Sequence, residues 1–442
     1  MSTVHPAPLR LHIKNGRVVD PANNVDRLED VFIHAGRIVA LDTAPDGFVA
    51  ERVIDASGLI VAPGLVDLAA RLREPGQEHK ATIASETRAA ASAGITTLCL
   101  PPDTEPVIDT AAVVELVHLR AEQAGYARVV TLGALTRALA GEQISEMAAL
   151  KAAGCVGISN GRRPITNLLN LRRAMEYAVT HDLTVFLHPD EPSLSNNGCV
   201  HEGAMSTRLG LPGVPQAAET AAVARDLAII EQVGVRAHFC RLSTARAVQM
   251  VGRAQYDGLP VSADVSAHQM FLTEMDVMGF NSQCHVLPPL RTQRDRDGLR
   301  DGLARGIISA VCSDHQPHEP DAKLAPFIDT EPGISSLETL LPLSLRLVEE
   351  GVLSLSQAVA RLTHGPARTL GIGAGTLSIG AHADICLFDP AGIWRVEPRK
   401  LFSRGHNTPF AGWELKGKAV MTLFEGRIVY ELPGRSATNE RV

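Results

Sequence analysis

Short runs in which apolar and polar residues alternate mark both ends of the chain. Leu11–Asp20 (LHIKNGRVVD) reads as a strand, a turn at Asn15-Gly16 and another strand. Val31–Ala40 repeats the design with Ala35-Gly36 at its turn, and Val53–Ala62 adds further β character. The C-terminal end has the same texture in Asp384–Asp389 (DICLFD) and in Gly417–Tyr430, where Glu425-Gly426 separates two apolar runs. Strands at both termini can pair in one small sheet domain, so residues 1–62 and 375–442 are expected to form a composite β domain.

The middle of the chain, residues 63–374, has a different rhythm. Apolar runs at Leu65–Leu68, Thr96–Leu100, Val129–Leu132, Val156–Ile158, Thr184–Leu187, Ala237–Phe239, Val261–Val265 and Ile307–Cys312 look like buried strands. Between them, Ala81–Ala93, Thr110–Ala124, Leu168–His181 and Glu219–Gln232 have helical length and spacing. Repeated βα units imply a parallel sheet, and about eight of them imply a closed α/β barrel of the (β/α)8 TIM type. An open doubly wound sheet is the runner-up. No glycine-rich dinucleotide loop follows an early strand, which speaks against it.

Composition narrows the function classes. The chain has 442 residues and a formal charge of -7, with no basic excess of the kind that grips nucleic acid. No run of 18 apolar residues offers a transmembrane helix, and the N-terminus carries no apolar signal core. The seven cysteines are widely scattered without a C-x-x-C pair and read as buried thiols of a reducing compartment. A cytoplasmic location is therefore expected, and the polar tail Arg435–Val442 is expected to be disordered.

A barrel places its chemistry at the C-terminal ends of its strands. The residues there are Ala69, Arg71, Arg73 and Glu74 after the first apolar run, His188 after Thr184–Leu187, Cys240 and Arg241 after Ala237–Phe239, and Asp314, His315 and His318 after Ile307–Cys312. Histidine and carboxylate converging from different strands can bind a metal. Taken singly, each has a plainer reading: His188 as a hydrogen-bonded structural residue, Asp314 as a helix cap or loop anchor.

Seven ordered motifs then carry a family resemblance. Val61–Gly76 (VAPGLVDLAARLREPG) resembles the dihydroorotase opening PGLIDLHVHLREPG of the amidohydrolase superfamily. Gly94–Pro106, His201–Pro215, Val286–Arg291 (VLPPLR), Cys312–His318 (CSDHQPH), Gly333–Leu341 and His406–Gly417 resemble further family segments in order. The resemblance implies a TIM barrel with a small composite β domain. It also implies hydrolysis or closure of a cyclic amide by a metal-bound hydroxide, since water must be acidified to supply hydroxide near neutral pH.

The ligand set that the resemblance implies is largely missing. Its H-x-H is Ala69-x-Arg71 here; alanine has no donor atom and guanidinium has no lone pair to give. The bridging carboxylate falls within Gly157–Arg162, where Asn160 is the nearest candidate, and Lys151 lies too early to align as a carboxylated lysine. His188 matches one later histidine, Arg241 replaces the other, and Asp314 matches the final aspartate. Two of six ligands remain, against the three that a catalytic zinc normally takes. Arg71 and Arg241 bring positive charge instead, and one of them is expected to pair with Asp314 in place of the metal. His238, His268, His285, His315 and His318 are available for another site, though their spacing matches no standard metal motif.

The substrate pocket is altered too. By resemblance Arg73 and His318 grip a substrate carboxylate, with Arg73 alternatively a salt-bridge partner of Glu74 or Asp103. Asp103 stands where the family has asparagine and is expected to repel an anion, and Leu287 replaces another asparagine. Three functions are compatible with this text. The first is a non-catalytic dihydroorotase-like protein with no cofactor, resembling the inactive homologues that serve as structural subunits for aspartate carbamoyltransferase in pyrimidine biosynthesis. It carries the expectation of a homodimer or higher oligomer, bound to the transferase's catalytic chain and to neither nucleic acid nor membrane. The second is an active zinc-dependent dihydroorotase or other cyclic amidohydrolase with an atypical metal site. The third is a small-molecule sensor that kept the Arg73/His318 grip.

Overall fold

The computed structural model describes residues 9–433, so the tail Arg435–Val442 lies outside the described residues. Eight parallel strands form one sheet in sequence order: Leu65–Asp67, Ile95–Leu100, Arg128–Ala134, Gly157–Ser159, Thr184–Leu187, Ala237–Phe239, Val261–Ser266 and Ala310–Cys312. The ring closes just beyond the first and last strands, where Ala70 bridges His315. There the Arg71 amide donates to the His315 carbonyl (2.9 Å) and the His315 amide to that of Ala69 (3.0 Å). The chain is thus an α/β TIM barrel with appended β structure.

Strand residues alternate between two cores, as a pleated strand requires. Leu65, Leu98, Val129, Ile158, Val185 and Val265 pack outward with the helices. Val66, Cys99, Val130, Phe186, Ala310 and Cys312 form a separate cluster that fills the ring, joined by Leu370 of the helix His364–Leu370. The barrel is therefore packed through its centre, and only the strand ends are free for chemistry. Thr82, Asn167 and Thr244 cap the helices Ile83–Ser92, Leu168–Thr180 and Ala245–Tyr256 through side-chain bonds to backbone amides, which fixes where each helix leaves its loop.

The terminal strands build two small sheets. One has the order Arg37–Leu41, Val31–His34, Leu11–Lys14, Arg52–Asp55; the other runs Arg427–Glu431, Glu414–Phe424, Ile385–Arg395, Ile60–Pro63, Arg17–Asp20, Val25–Leu28. The second mixes both ends of the chain, and Leu11, Val18, Val61, Leu387 and Leu423 share one core between the sheets. The strand–turn–strand at Leu11–Asp20 does not fold back on itself. Asn15 takes a left-handed φ of 63°, and the two strands part into different sheets. A Cβ at Gly16 would lie 2.5 Å from a Val61 methyl, so only glycine lets this crossing close.

Candidate functional site

Five barrel strands deliver one side chain each to a buried ionic cluster at the barrel mouth. Asp314, after the eighth strand, sits at the centre with 1% of its side chain exposed. Arg162, after the fourth strand, donates from Nη2 to its Oδ2 (3.0 Å) and Oδ1 (3.3 Å). Arg241, after the sixth, brings Nε to 3.5 Å from Oδ1, and Arg71, after the first, brings Nη1 to 3.6 Å. Gln316 adds an Nε2 donor at 3.4 Å. The expectation that one arginine would pair with Asp314 understates the arrangement: three surround it, and Arg162 was not foreseen. Its signal was its place, two residues beyond Asn160 in the loop that should hold the bridging acid.

Asp103, after the second strand, completes the cluster. Arg71 donates to its Oδ2 from Nη2 (2.7 Å) and Nε (2.9 Å). Burial would lift the Asp103 carboxyl, but Arg71 beside it holds it below its ordinary value. The expectation that Asp103 repels an anionic ligand is corrected by this pairing: its charge is spent on Arg71. Asn160 is likewise occupied. It accepts from Thr136 Oγ1 (2.7 Å) and donates to the carbonyls of Leu139 (3.2 Å) and Arg163 (2.7 Å), bracing two loops rather than facing the mouth. Lys151 bonds the His181 carbonyl on the helix Met147–Ala152, among residues of the cleft at the strands' N-terminal ends.

His188 follows the fifth strand, with Nδ1 lacking a partner. Burial, with Arg241, Arg162 and Arg71 nearby, pushes its pKa well below the ordinary value, so the ring is neutral. His268 is 2% exposed, also lacks a partner at Nδ1, and is pushed down to about 4 by burial. The other histidines are structural. His315 bonds Glu86 (2.9 Å) and accepts from the Ser336 amide; His285 bonds Thr330; His238 bonds Ser262 and Asp264. Among the described residues, His238, Cys240 and Asp264 form a group with metal-ligand spacing. The His238–Asp264 bond at 3.0 Å and an Asp264 carboxylate that accepts the Arg241 amide already satisfy it.

The carboxylate grip is closed on itself. Arg73 donates to the Pro317 carbonyl (3.0 Å) and to Gln77 (3.2 Å), and its Nη2 lies 3.0 Å from His318 Nε2. It pairs with neither Glu74 nor Asp103; Glu74 instead caps the Ile83 amide. Burial, reinforced by Arg73 and Lys80, drives His318 down to about 2, so this imidazole is neutral. A side cleft between Arg71, Arg73, Pro75, Leu100 and Asp103 holds about 20 Å³, room for roughly one water.

A zinc ion does not fit these residues. Ala69 has no donor, Asn160 is turned away, and Arg71 and Arg241 offer only N–H groups. Of the two remaining ligands, Asp314 is enclosed by guanidiniums, and a divalent cation there would face three like charges at short range.

Comparison with known proteins places the chain in a family. A model described as Dihydro-orotase-like matches residues 58–247, and one described as Amidohydrolase family matches residues 335–430. The dihydroorotase-like protein of Pseudomonas aeruginosa is 49% identical over 423 residues, 96% of this chain and all of the relative. The dihydroorotase of Syntrophotalea carbinolica is 43% identical over 424 residues, with 96% and 100% covered. Among solved structures, L-hydantoinase (dihydropyrimidinase) from Arthrobacter aurescens superposes with a TM-score of 0.86 at 23% identity, covering 96% of both chains, which shows the shared fold. No described helix is long and apolar enough to cross a membrane. With a relative half identical along almost its whole length, this chain belongs to the dihydroorotase-like family of the amidohydrolase superfamily.

Proposed function

We propose that this chain is a non-catalytic dihydroorotase-like protein, acting as a structural subunit of an aspartate carbamoyltransferase assembly in pyrimidine biosynthesis. One observation carries the non-catalytic part: the aspartate that should ligate metal is enclosed by Arg71, Arg162 and Arg241. Guanidinium is protonated at any physiological pH and cannot become a ligand. Without a Lewis acid the carbonyl of a cyclic amide is not activated for attack, and Asp314 is already engaged by Arg162 and Gln316. The closed Arg73–His318 contact supports the same reading from the substrate side. What persists is the folded barrel, which is what a scaffold must retain. Membership in the family leaves the activity open, since function lives in the site and not in the fold.

The competing reading is an active zinc-dependent dihydroorotase or other cyclic amidohydrolase with an atypical metal site. Its support is the 43% identity to a protein named dihydroorotase. Its difficulty is the donor set. The partner is tested by tagging this chain at native level in its own cells and sizing what elutes with it. Carbamoyltransferase activity in a complex of fixed stoichiometry is expected. Elution of the chain without the transferase refutes the scaffold role.

A further inference from the structure

The barrel mouth carries buried donors that none of its own acceptors uses. Arg71, Arg162 and Arg241 face Asp103 and Asp314, and Asp264 lies beside Arg241, whose amide donates to its Oδ1 (2.5 Å). The three guanidiniums are not equally engaged. Arg71 is spent on Asp103, and Arg162 on Asp314 and Gln316. Arg241 is only 6% exposed, yet within the described residues its guanidinium donates no hydrogen bond, and its Nε is a buried donor without an acceptor. Arg162 Nε and the Nδ1 atoms of His188 and His268 are buried and unpartnered as well. A buried charge with unused donors is costly unless something accepts from it.

The recess is reachable. The side chains of Arg162 and Asp103 keep 16% and 24% of their surface, and Arg71 keeps 10%. A planar fork of five donors matches an oxyanion better than any neutral ligand. Arg73 and His318, which the family resemblance ties to a carboxylate, are bonded to each other and take no part in this recess.

We infer that the barrel mouth binds one small inorganic oxyanion, seated on the Arg241 guanidinium and flanked by Arg162. The anion accepts from the guanidiniums that the cluster of Arg71, Arg162, Arg241, Asp103 and Asp314 leaves with open donors. A pocket evolved for a cation in the family thus holds an anion in this chain. The inference rests on the reading that the mouth carries no divalent metal.

Equilibrium dialysis of the full-length protein with labelled inorganic phosphate, at constant ionic strength, tests it. Saturable binding of one phosphate per chain is expected, weakened about tenfold or more in Arg241→Gln. Arg241→Lys keeps the charge, loses the fork and is expected to weaken binding less; it serves if the glutamine variant does not fold. No saturable binding, or equal binding by wild type and folded variants, overturns the inference. Metal content is measured on the same samples. A stoichiometric divalent ion in the wild type overturns the non-catalytic reading beneath it, whereas metal-free protein that binds no phosphate overturns the anion site alone.

Discussion

Replacing Asp314 with alanine is the sharpest perturbation of the mouth. The carboxylate lies 3.0 Å from Arg162, 3.5 Å from Arg241 and 3.6 Å from Arg71, with 1% exposure. At an effective dielectric of about 20, each attraction is worth about 5 kcal/mol gross. Most of that is offset by desolvation of the four groups and by repulsion among the arginines. Breaking a buried ionic cluster by removing one partner costs about 3–5 kcal/mol, because the remaining charges stay buried. Asp103 still neutralises Arg71, so the loss falls on Arg162 and Arg241. Asp314→Ala is expected to lower unfolding stability by about 3–5 kcal/mol, read as a drop of about 1 M in the urea midpoint. Adding Arg162→Met removes one of the stranded cations and is expected to restore at least part of that loss. A chelator, in contrast, is expected to leave the wild-type midpoint where it is. An Asp314→Ala midpoint equivalent to within about 0.5 kcal/mol of wild type refutes the ionic cluster as a stabilising element. A chelator effect that matches the Asp314→Ala loss refutes the replacement of metal by arginine.

Other expectations follow from groups outside the cluster's centre. Burial pushes the Glu338 carboxyl up from 4.5 to about 7, against opposing bonds from the Ser403 and Phe402 amides. The folded state then binds more protons than the unfolded state between those values, so stability falls as pH rises through that window and levels off above it. The whole effect is at most about 3 kcal/mol; urea midpoints at about pH 5 and about pH 8 should differ in wild type and much less in Glu338→Gln. Asn160→Asp restores a carboxylate where the family bridges its metals, but it turns the donations to Leu139 and Arg163 into repulsions. A loss of about 1–3 kcal/mol without any gain in bound zinc is expected; zinc uptake by this variant counts against the placement of Asn160. His315→Ala removes a buried bond to Glu86 at the seam of the ring and should cost about 2–5 kcal/mol, with near-neutral thermal unfolding as the contrary result.

The fold was legible because it rests on local periodicity. Strands such as Ala310–Cys312 are apolar along their length, Thr184–Leu187 is apolar but for its first residue, and amphipathic helices punctuate them, so both element type and order follow from the sequence. The partition of Leu11–Lys14 and Arg17–Asp20 into different sheets was not, because it depends on a left-handed Asn15 and a close approach of Gly16 to Val61. At the site, His188, Arg241 and Asp314 were found by their position after strands, and Arg71 by a failed motif. Arg162 carries no local signal of its partner, because nothing in its glycine-containing loop specifies one. Only the contact with Asp314, 152 residues further on, makes it part of the cluster. The partners of Asp103 and Arg73 lie equally beyond local pattern. Asp103 joins Arg71 across 32 residues, and Arg73 reaches His318 across 245. Sequence supplies the list of charged groups at the mouth, and tertiary geometry decides which pairs cancel.

The most direct test of the non-catalytic reading is dihydroorotate turnover by the purified full-length chain after incubation with zinc, with bound metal determined on the same sample. A mouth closed by Arg71, Arg162 and Arg241 around Asp314 gives no turnover above the buffer blank and no stoichiometric zinc. Turnover that rises in proportion to bound zinc contradicts it and makes the chain an enzyme with an atypical metal site.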